Sequence, residues 1–437
     1  MFNTPLLNAI NNVVKQTATP TTFTLEMTFV SASDSTYRYS PLKIENLRIN
    51  QDATVYYTNQ IFTEFMISLN DYANMFDHMQ DLACFFTLRY CDRNGLLLNT
   101  SKPFQKVYRA AIVDPKDVRK EQVDTQYRTE FDRKVKIRLV EPDIYNVRHI
   151  EFNTIYQSHT VEDAIRDASN VFGITNLTVT SPDNIHLWDQ ILVPPTKSFA
   201  NFYAWLHAKY GVYMNGMNRY YTDNHLFVYP PFDIAPTTEK TVVLYQAEEG
   251  MCAGNMTFAY AHDNLIEVVT NKVRKVVDQS MYGSENVGTS KVFLRSSELV
   301  DGVVQHDPVD GIKFNDDVSL SIALQQPKTL TPGAHKTTYA HATDNPYVLA
   351  SHMAEHQATV VDVEWPMSSP FLIRPGLAVV YNSDQNSKVL RRTGIVEKLD
   401  TLLARNDLGP AGGLFRGTTN LTVRLQPEGV LTDTVST

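Results

Sequence analysis

The chain has 437 residues, too many for one hydrophobic core and enough for two or three domains. With 43% hydrophobic residues and 11% aromatics it has ample material for packed cores, which excludes an intrinsically disordered protein. A formal charge of −9 and a pI near 5.7 argue against a nucleic-acid clamp, because phosphate neutralisation needs clustered Lys and Arg.

From the N-terminus, Leu6, Leu7, Ile10 and Val13/Val14 give the first segment an apolar side. It has neither a basic start nor a long apolar run, so no signal peptide and no membrane span is expected, and the chain is expected to be made and assembled in the cytoplasm. Phe23, Leu25, Met27 and Phe29 then alternate with polar residues, the period of a half-buried strand. Leu42-Ile44 and Leu47-Ile49 form a broken alternation with a bulge expected around Glu45-Asn46, and Val55 to Met66 is another strand-rich run. Tyr72, Met75, Phe76, Met79, Leu82 and Ala83 fall on one face of a helix beginning near Asn70 or Asp71. Alternation returns at Phe86, Leu88 and Tyr90, at Val107 to Val113, and at Val135, Ile137 and Leu139, until Pro142 stops it. Several strands with one helix across them fit a barrel or sandwich plugged by that helix. The polar stretch Asp114 to Thr129 reads as a surface loop between the last two strands.

Ser158 to Pro231 reads as helix, strand, proline corner, second helix and hairpin. Thr160 and Asp163 have capping-box spacing. Val161, Ala164, Ile165, Ala168 and Val171/Phe172 follow at helical period, with Gly173 able to turn left-handed at the exit. After Leu192, Val193 and the Pro194-Pro195 corner, Ser198 is expected to cap a helix carrying Phe199, Phe202, Trp205, Leu206 and Tyr210, closed by Gly211. Val212-Tyr213-Met214 and Leu226 to Tyr229 bracket a hairpin. The order of helix, extended segment, Leu192-Val193-Pro194-Pro195, aromatic helix, Tyr210-Gly211-Val212-Tyr213 and hairpin resembles the middle region of baseplate hub proteins of contractile-tailed bacteriophages and related injection machines. In that family such a block joins two barrels that each resemble the tail-tube subunit.

Pro230-Pro231 and Pro236 mark a linker, after which Val242 to Tyr245, the alternating Met256, Phe258 and Tyr260, and Leu265 to Val277 read as sheet. About 280–345 turns to Gly, Ser, Asp, Thr and Pro with weak strands near Val292-Phe293-Leu294 and Val318 to Leu324, a long insertion suited to docking a partner. Pro346 opens a helix. Val361, Val363 and Trp365 alternate, and Leu377 to Tyr381, Thr393 to Leu399, and Leu421, Val423 and Leu425 complete a sheet. Leu372-Ile373-Arg374-Pro375-Gly376 makes a tight corner before a strand. This order is similar to the C-terminal barrel of the same hub family.

Catalytic motifs are weak. His352, Glu355 and His356 match H-x-x-E-H on a predicted helix, the inverted zinc-protease arrangement; they are the only metal candidates, with Asp362 and Glu364 downstream on a strand rather than an opposed helix, and a solvated helix face is the preferred reading. No G-x-S-x-G elbow and no P-loop occurs. Gly409, Gly412, Gly413 and Gly417 read as a connection between strands. Tyr213, Tyr220, Tyr221, Phe227 and Tyr229 could stack sugars or bases, but on a hairpin beside an aromatic helix they read as core. Lys272, Arg274 and Lys275 are expected to face an acidic neighbour. Cys84, Cys91 and Cys252 have neither disulfide nor zinc spacing and read as buried thiols.

The expected fold is therefore mainly β, α+β overall, with a tube-like barrel at 1–150, an α+β middle domain at 151–235 and a second tube-like barrel at 236–437. The resemblance implies a virion protein of the tail baseplate, without catalysis or cofactor. It implies a homotrimer presenting six barrels, mating with a tail-tube or tube-initiator ring on one side and a central spike protein on the other, in contact with other baseplate proteins. DNA would pass through the ring without specific binding, as an acidic conduit allows, and no membrane is involved. Two alternatives from other classes are a zinc-dependent hydrolase using the H-x-x-E-H helix and a multidomain β adsorption or carbohydrate-binding protein.

Overall fold

The computed structural model describes residues 4–16, 22–31, 33, 36–53, 58–77, 81–91, 96–97, 102–112, 132–147, 150–214, 216–231, 240–248, 251, 257–262, 264–276, 296–300, 303–306, 334–336, 359–385, 388–406 and 413–426. The fold is mainly β. The first strands are β1 (Thr22–Ser31), β2 (Arg38–Tyr39), β3 (Lys43–Asp52), β4 (Gln60–Ser68), β5 (Leu82–Cys91), β6 (Phe104–Ile112) and β7 (Asp132–Val140). They are preceded by helix α1 (Thr4–Gln16), interrupted by α2 (Leu69–Asp77) and followed by the single-turn α3 (Pro142–Val147). The alternation read from the sequence is the burial pattern: Phe23, Leu25, Met27 and Phe29 on β1 and Val135, Ile137 and Leu139 on β7 all point into one core. The bulge in β3 falls between Ile44 and Asn46.

The helix expected to reach Ala83 ends at Asp77, and Leu82 and Ala83 belong instead to β5, opposite Ser31 and Val30. Ten consecutive register pairs between β1 and β5 satisfy the backbone more completely than another helical turn would, and Leu82 is buried either way.

The middle segment holds β8 (Glu151–His159), α4 (Val161–Val171), β9 (Asn176–Val179), β10 (Trp188–Ser198), α5 (Phe202–Tyr210), β11 (Asn218–Thr222) and β12 (His225–Tyr229). The Thr160–Asp163 capping box is formed: the Asp163 amide donates to Thr160 Oγ1 at 3.2 Å and the Thr160 amide to Asp163 Oδ2 at 3.1 Å, a device worth about 1 kcal/mol. Gly173 exits at φ 75°. Three local expectations change. Pro194 and Pro195 lie within β10, where the ladder with β8 shifts register between Val193 and Lys197, because proline has no N–H to donate. Ser198 does not cap α5; the N-cap is Asn201, whose Oδ1 turns back to accept from the Ser198 amide at 2.7 Å. The hairpin partner of Leu226 to Tyr229 is Asn218–Thr222, not Val212 to Met214. Its two-residue turn, Asp223-Asn224, has φ 51° and 59°, the left-handed pair that a type I′ turn requires.

The last segment contains β13 (Thr241–Gln246), β14 (Phe258–His262), β15 (Leu265–Thr270), β16 (Val273–Val276), a small backbone sheet of β17 (Ser296–Val300), β18 (Val303–His306) and β19 (Ala334–Lys336), then β20 (Thr359–Pro366), β21 (Ala378–Gln385), β22 (Lys388–Asn406) and β23 (Leu414–Leu425). The run expected from Leu265 to Val277 divides at Asn271-Lys272 into β15 and β16, which pair with different neighbours. The strands expected near 292–294 and 318–324, the loop at 114–129 and the helix after Pro346 lie outside the described residues.

The long hairpin β22–β23 organises both ends of the chain. The pairings β22–β3–β4–β7–β6–β5–β1–β23–β22 return to their start, a closed ring of eight strands among the described residues. The same two strands are central to a second eight-stranded sheet, β14–β15–β13–β21–β22–β23–β20–β16. Its distant members face each other across one core, with Val242, Leu244, Ile266 and Val268 on one side and Val361, Val363 and Trp365 on the other. Along the hairpin, Val396, Leu399, Leu421, Val423 and Leu425 fill this second core, while Leu403 and Phe415 fill the first. Gly417, expected in the connection, sits within β23, where an added Cβ would lie 2.5 Å from the Ser368 carbonyl oxygen. Helix α1 closes the circle of contacts: Leu6, Ile10 and Val13 pack on Ala247, Met251 and Val269 of the last segment.

Candidate functional site

The aromatic residues singled out in the middle block do not form an open platform. Tyr213, Tyr220, Tyr221 and Tyr229 are all buried, and Phe227 lies between the His225 ring and the Arg374 guanidinium, 4.6 Å from the latter. The hairpin β11–β12 is a wedge between the three segments. Tyr220 and Tyr229 pack with Ala53 of the first segment and Ile395 of the last, and Thr58 bridges the backbone of Tyr221. Gly376, in the corner before β21, has φ 83° and lies so close under Tyr229 that a Cβ would meet its hydroxyl at 2.9 Å, so the Pro375-Gly376 pair serves both the turn and this approach.

A buried polar cluster fixes the hairpin tip to the first barrel. Glu141, at the end of β7 and 2% exposed, accepts from Lys106 Nζ at 2.9 Å and from Asn59 Nδ2 at 3.1 Å. Lys106 also reaches Asp223 of the turn at 2.8 Å. Gln51 Nε2 donates to Asn59 Oδ1 at 2.7 Å and to the Tyr220 hydroxyl at 3.3 Å, while the Tyr220 hydroxyl donates to Asn59 Oδ1. Tyr221 donates to Asp143 at 3.0 Å. Burial raises Glu141 above the usual carboxylate range despite Lys106, and the two carboxylates hold the Lys106 ammonium above its ordinary value although burial opposes it. Sequence reasoning missed this cluster. Its members lie on β3, just before β4, on β6, just after β7, on α3 and on the hairpin, and no local pattern joins them.

The buried thiol and phenol are not poised as nucleophiles. Burial pushes the Cys84 thiol and the Tyr220 hydroxyl up, the opposite of what nucleophiles require. Cys84 and Cys91 are buried and not joined in a disulfide; Cys252 lies outside the described residues, as do His352, Glu355 and His356. The two downstream acids are engaged across strands: Asp362 accepts from Thr422 at 2.6 Å and Glu364 from Lys272 at 3.1 Å. The Lys272 contact is the acidic neighbour expected for that basic strand. Among the described residues no group of three or more His, Cys, Asp and Glu side chains could hold a metal, and no helix is long and apolar enough to cross a membrane. A groove of about 430 Å³ on the outer face of the first barrel includes Arg48, Glu64 and Lys136. Arg48 is clamped by Asp400 at 2.8 and 2.5 Å and Lys136 meets Glu64 at 3.5 Å, so these charges already serve one another.

The fold thus defines a barrel-and-wedge protein whose built features are the joints between its segments. The chain belongs to the Bacteriophage PBS1 gene 109 protein family, whose model matches residues 44–317. Among solved structures it is similar to a tail protein from Neisseria meningitidis MC58, at 12% identity and a TM-score of 0.42 over 93% of this chain and 98% of that one. It is similar also to the c3393 protein of E. coli, described as a component of the type VI secretion system with structural similarity to the T4 bacteriophage tail proteins gp27 and gp5. There the identity is 11% and the TM-score 0.42, over 89% and 74% of the two chains. A 43 kDa tail protein of prophage MuSo2 from Shewanella oneidensis matches at 9% identity and a TM-score of 0.40, over 91% and 97%. A search of curated proteins by sequence found no match.

Proposed function

We propose that this protein is a structural subunit of a phage tail baseplate hub, a virion component assembled in the host cytoplasm. Three copies would form a ring around the DNA path and adapt a sixfold tail tube to a threefold central spike. The observation that carries this reading is the shared hairpin: one chain holds two eight-stranded sheets side by side on common strands. A subunit with two such units at a fixed spacing presents six around a threefold axis. The proposed division is a tube-like barrel at 1–150, the middle domain at 151–235, and a second tube-like unit at 236–437 carrying the insertion at about 280–345. The hairpin would tie the two barrels so that they move as one body. Membership of a bacteriophage protein family and the acidic balance of the chain support the same reading, since an acidic lumen repels the DNA backbone. Ring closure would also cover the edges of β14 and β16, which have no further partner strand among the described residues.

Light scattering on the purified chain tests the proposal. A species near three times 49.5 kDa, alone or on addition of a spike protein, is the expected result. A monomer under both conditions would contradict it.

A further inference from the structure

We propose that residues 367–376, the connection between β20 and β21, act as a stiff keystone. Docking at the first barrel, at the second sheet and at the β11–β12 hairpin is coupled through this one segment, so that loosening one contact loosens the others. Successive residues enter different parts of the molecule. Phe371 lays its ring against the first core, stacked on Phe104 with centroids 4.1 Å apart and edge-on to Phe86 at 6.3 Å. Leu372 and Ile373 pack in the second core. Arg374 sits over Phe227 of the hairpin at 4.6 Å. Gly376 lies beneath Tyr229 of the same hairpin, and its amide donates to the Val396 carbonyl of β22 at 2.8 Å. One short stretch thus reaches three bodies.

The backbone leaves little slack between these contacts. Pro370 stands before Phe371 and Pro375 after Arg374. Each proline fixes its own φ and confines the residue before it, so a shift at one docking passes to the next instead of being absorbed by rotation. Upstream, buried Ser368 is pinned to β23: its amide donates to the Gly417 carbonyl at 3.1 Å, and its hydroxyl oxygen accepts from the Thr419 hydroxyl at 2.7 Å. Around this pin the chain is strained. Met367 and Phe371 hold φ of 56° and 62°, left-handed values that bulky side chains disfavour. Such a conformation persists only where its surroundings over-determine it; the stacked ring on one side and the second core on the other supply that constraint. The keystone is independent of the hub reading, because it joins parts of a single chain.

Hydrogen exchange of the full-length protein tests the coupling. Arg374→Ala should raise exchange several-fold in peptides covering residues 218–229, which hold Phe227, and also in those covering 82–91 and 104–112, which hold Phe86 and Phe104 at the other end of the keystone. Pro370→Ala keeps every docking side chain and restores slack, so in that background the response of 82–91 and 104–112 to Arg374→Ala should shrink. Phe371→Gly and Phe371→Ala lose the same ring, but glycine accepts the left-handed backbone. The glycine variant should therefore protect 218–229 better than the alanine variant. A response to Arg374→Ala confined to the hairpin would overturn the proposal. So would a far response undiminished by Pro370→Ala, which would route the coupling through Lys106 and Asp223 instead, or a glycine variant no better protected than the alanine one.

Discussion

Phe415→Ala is expected to weaken the first barrel, most of whose strands lie before residue 141, although position 415 lies close to the far end of the sequence. Phe415 is 3% exposed, belongs to the same cluster as Phe23, Phe29 and Phe65, and sits opposite Phe23 where β1 meets β23. Truncating a buried phenylalanine removes its transfer free energy and leaves a cavity, together about 3–5 kcal/mol. The loss should fall on amide protection in β1 and β5, with much smaller change in β13 and β15, whose core is filled by other residues of the hairpin. Equal loss in both cores, or loss confined to the second, would mean that the hairpin does not serve two barrels.

The second large effect concerns Lys106→Met. Methionine preserves the length of the side chain and its stacking beside Tyr108, 5.8 Å from the ammonium, while deleting the charge that Glu141 and Asp223 share. Removing one partner of a buried pair strands the other, at a cost of about 3–5 kcal/mol. At neutral pH the variant should unfold at lower urea concentration and lose protection in the hairpin. The deficit should shrink toward pH 5 as Glu141 takes up a proton instead of holding a buried charge. A pH-independent deficit would show that packing, not charge, is what Lys106 supplies.

Local structure was readable wherever one residue pattern was satisfied by one surface. The alternations at Phe23 to Phe29 and Val135 to Leu139 are the two faces of strands, and Thr160 with Asp163 closes its own helix end. Gly376 was legible as a turn, though not as the floor beneath Tyr229. The shared hairpin was hidden because its pattern breaks midway. A register shift separates Val396 from Lys398, and beyond it the exposed Leu402 stands beside the buried Leu403, so the distal half looks like an irregular polar connection. The outer clamp between Arg48 and Asp400 joins residues 352 positions apart. The buried polar cluster was invisible for the same reason. Glu141 stands before Pro142 and reads as the end of a strand, and only the fold brings Asp223 to Lys106. The middle block was thus recognisable as a unit, while its role as a wedge depends on contacts that no local period encodes.

The hub reading rests on two barrels held at one spacing by common strands, and images of the purified or virion-assembled particle viewed down its axis test that arrangement most directly. Six barrel-sized densities around a threefold centre, joined in pairs within each subunit, are the predicted result. Isolated two-lobed particles without an axis, or rings in which each chain contributes one lobe, would contradict it.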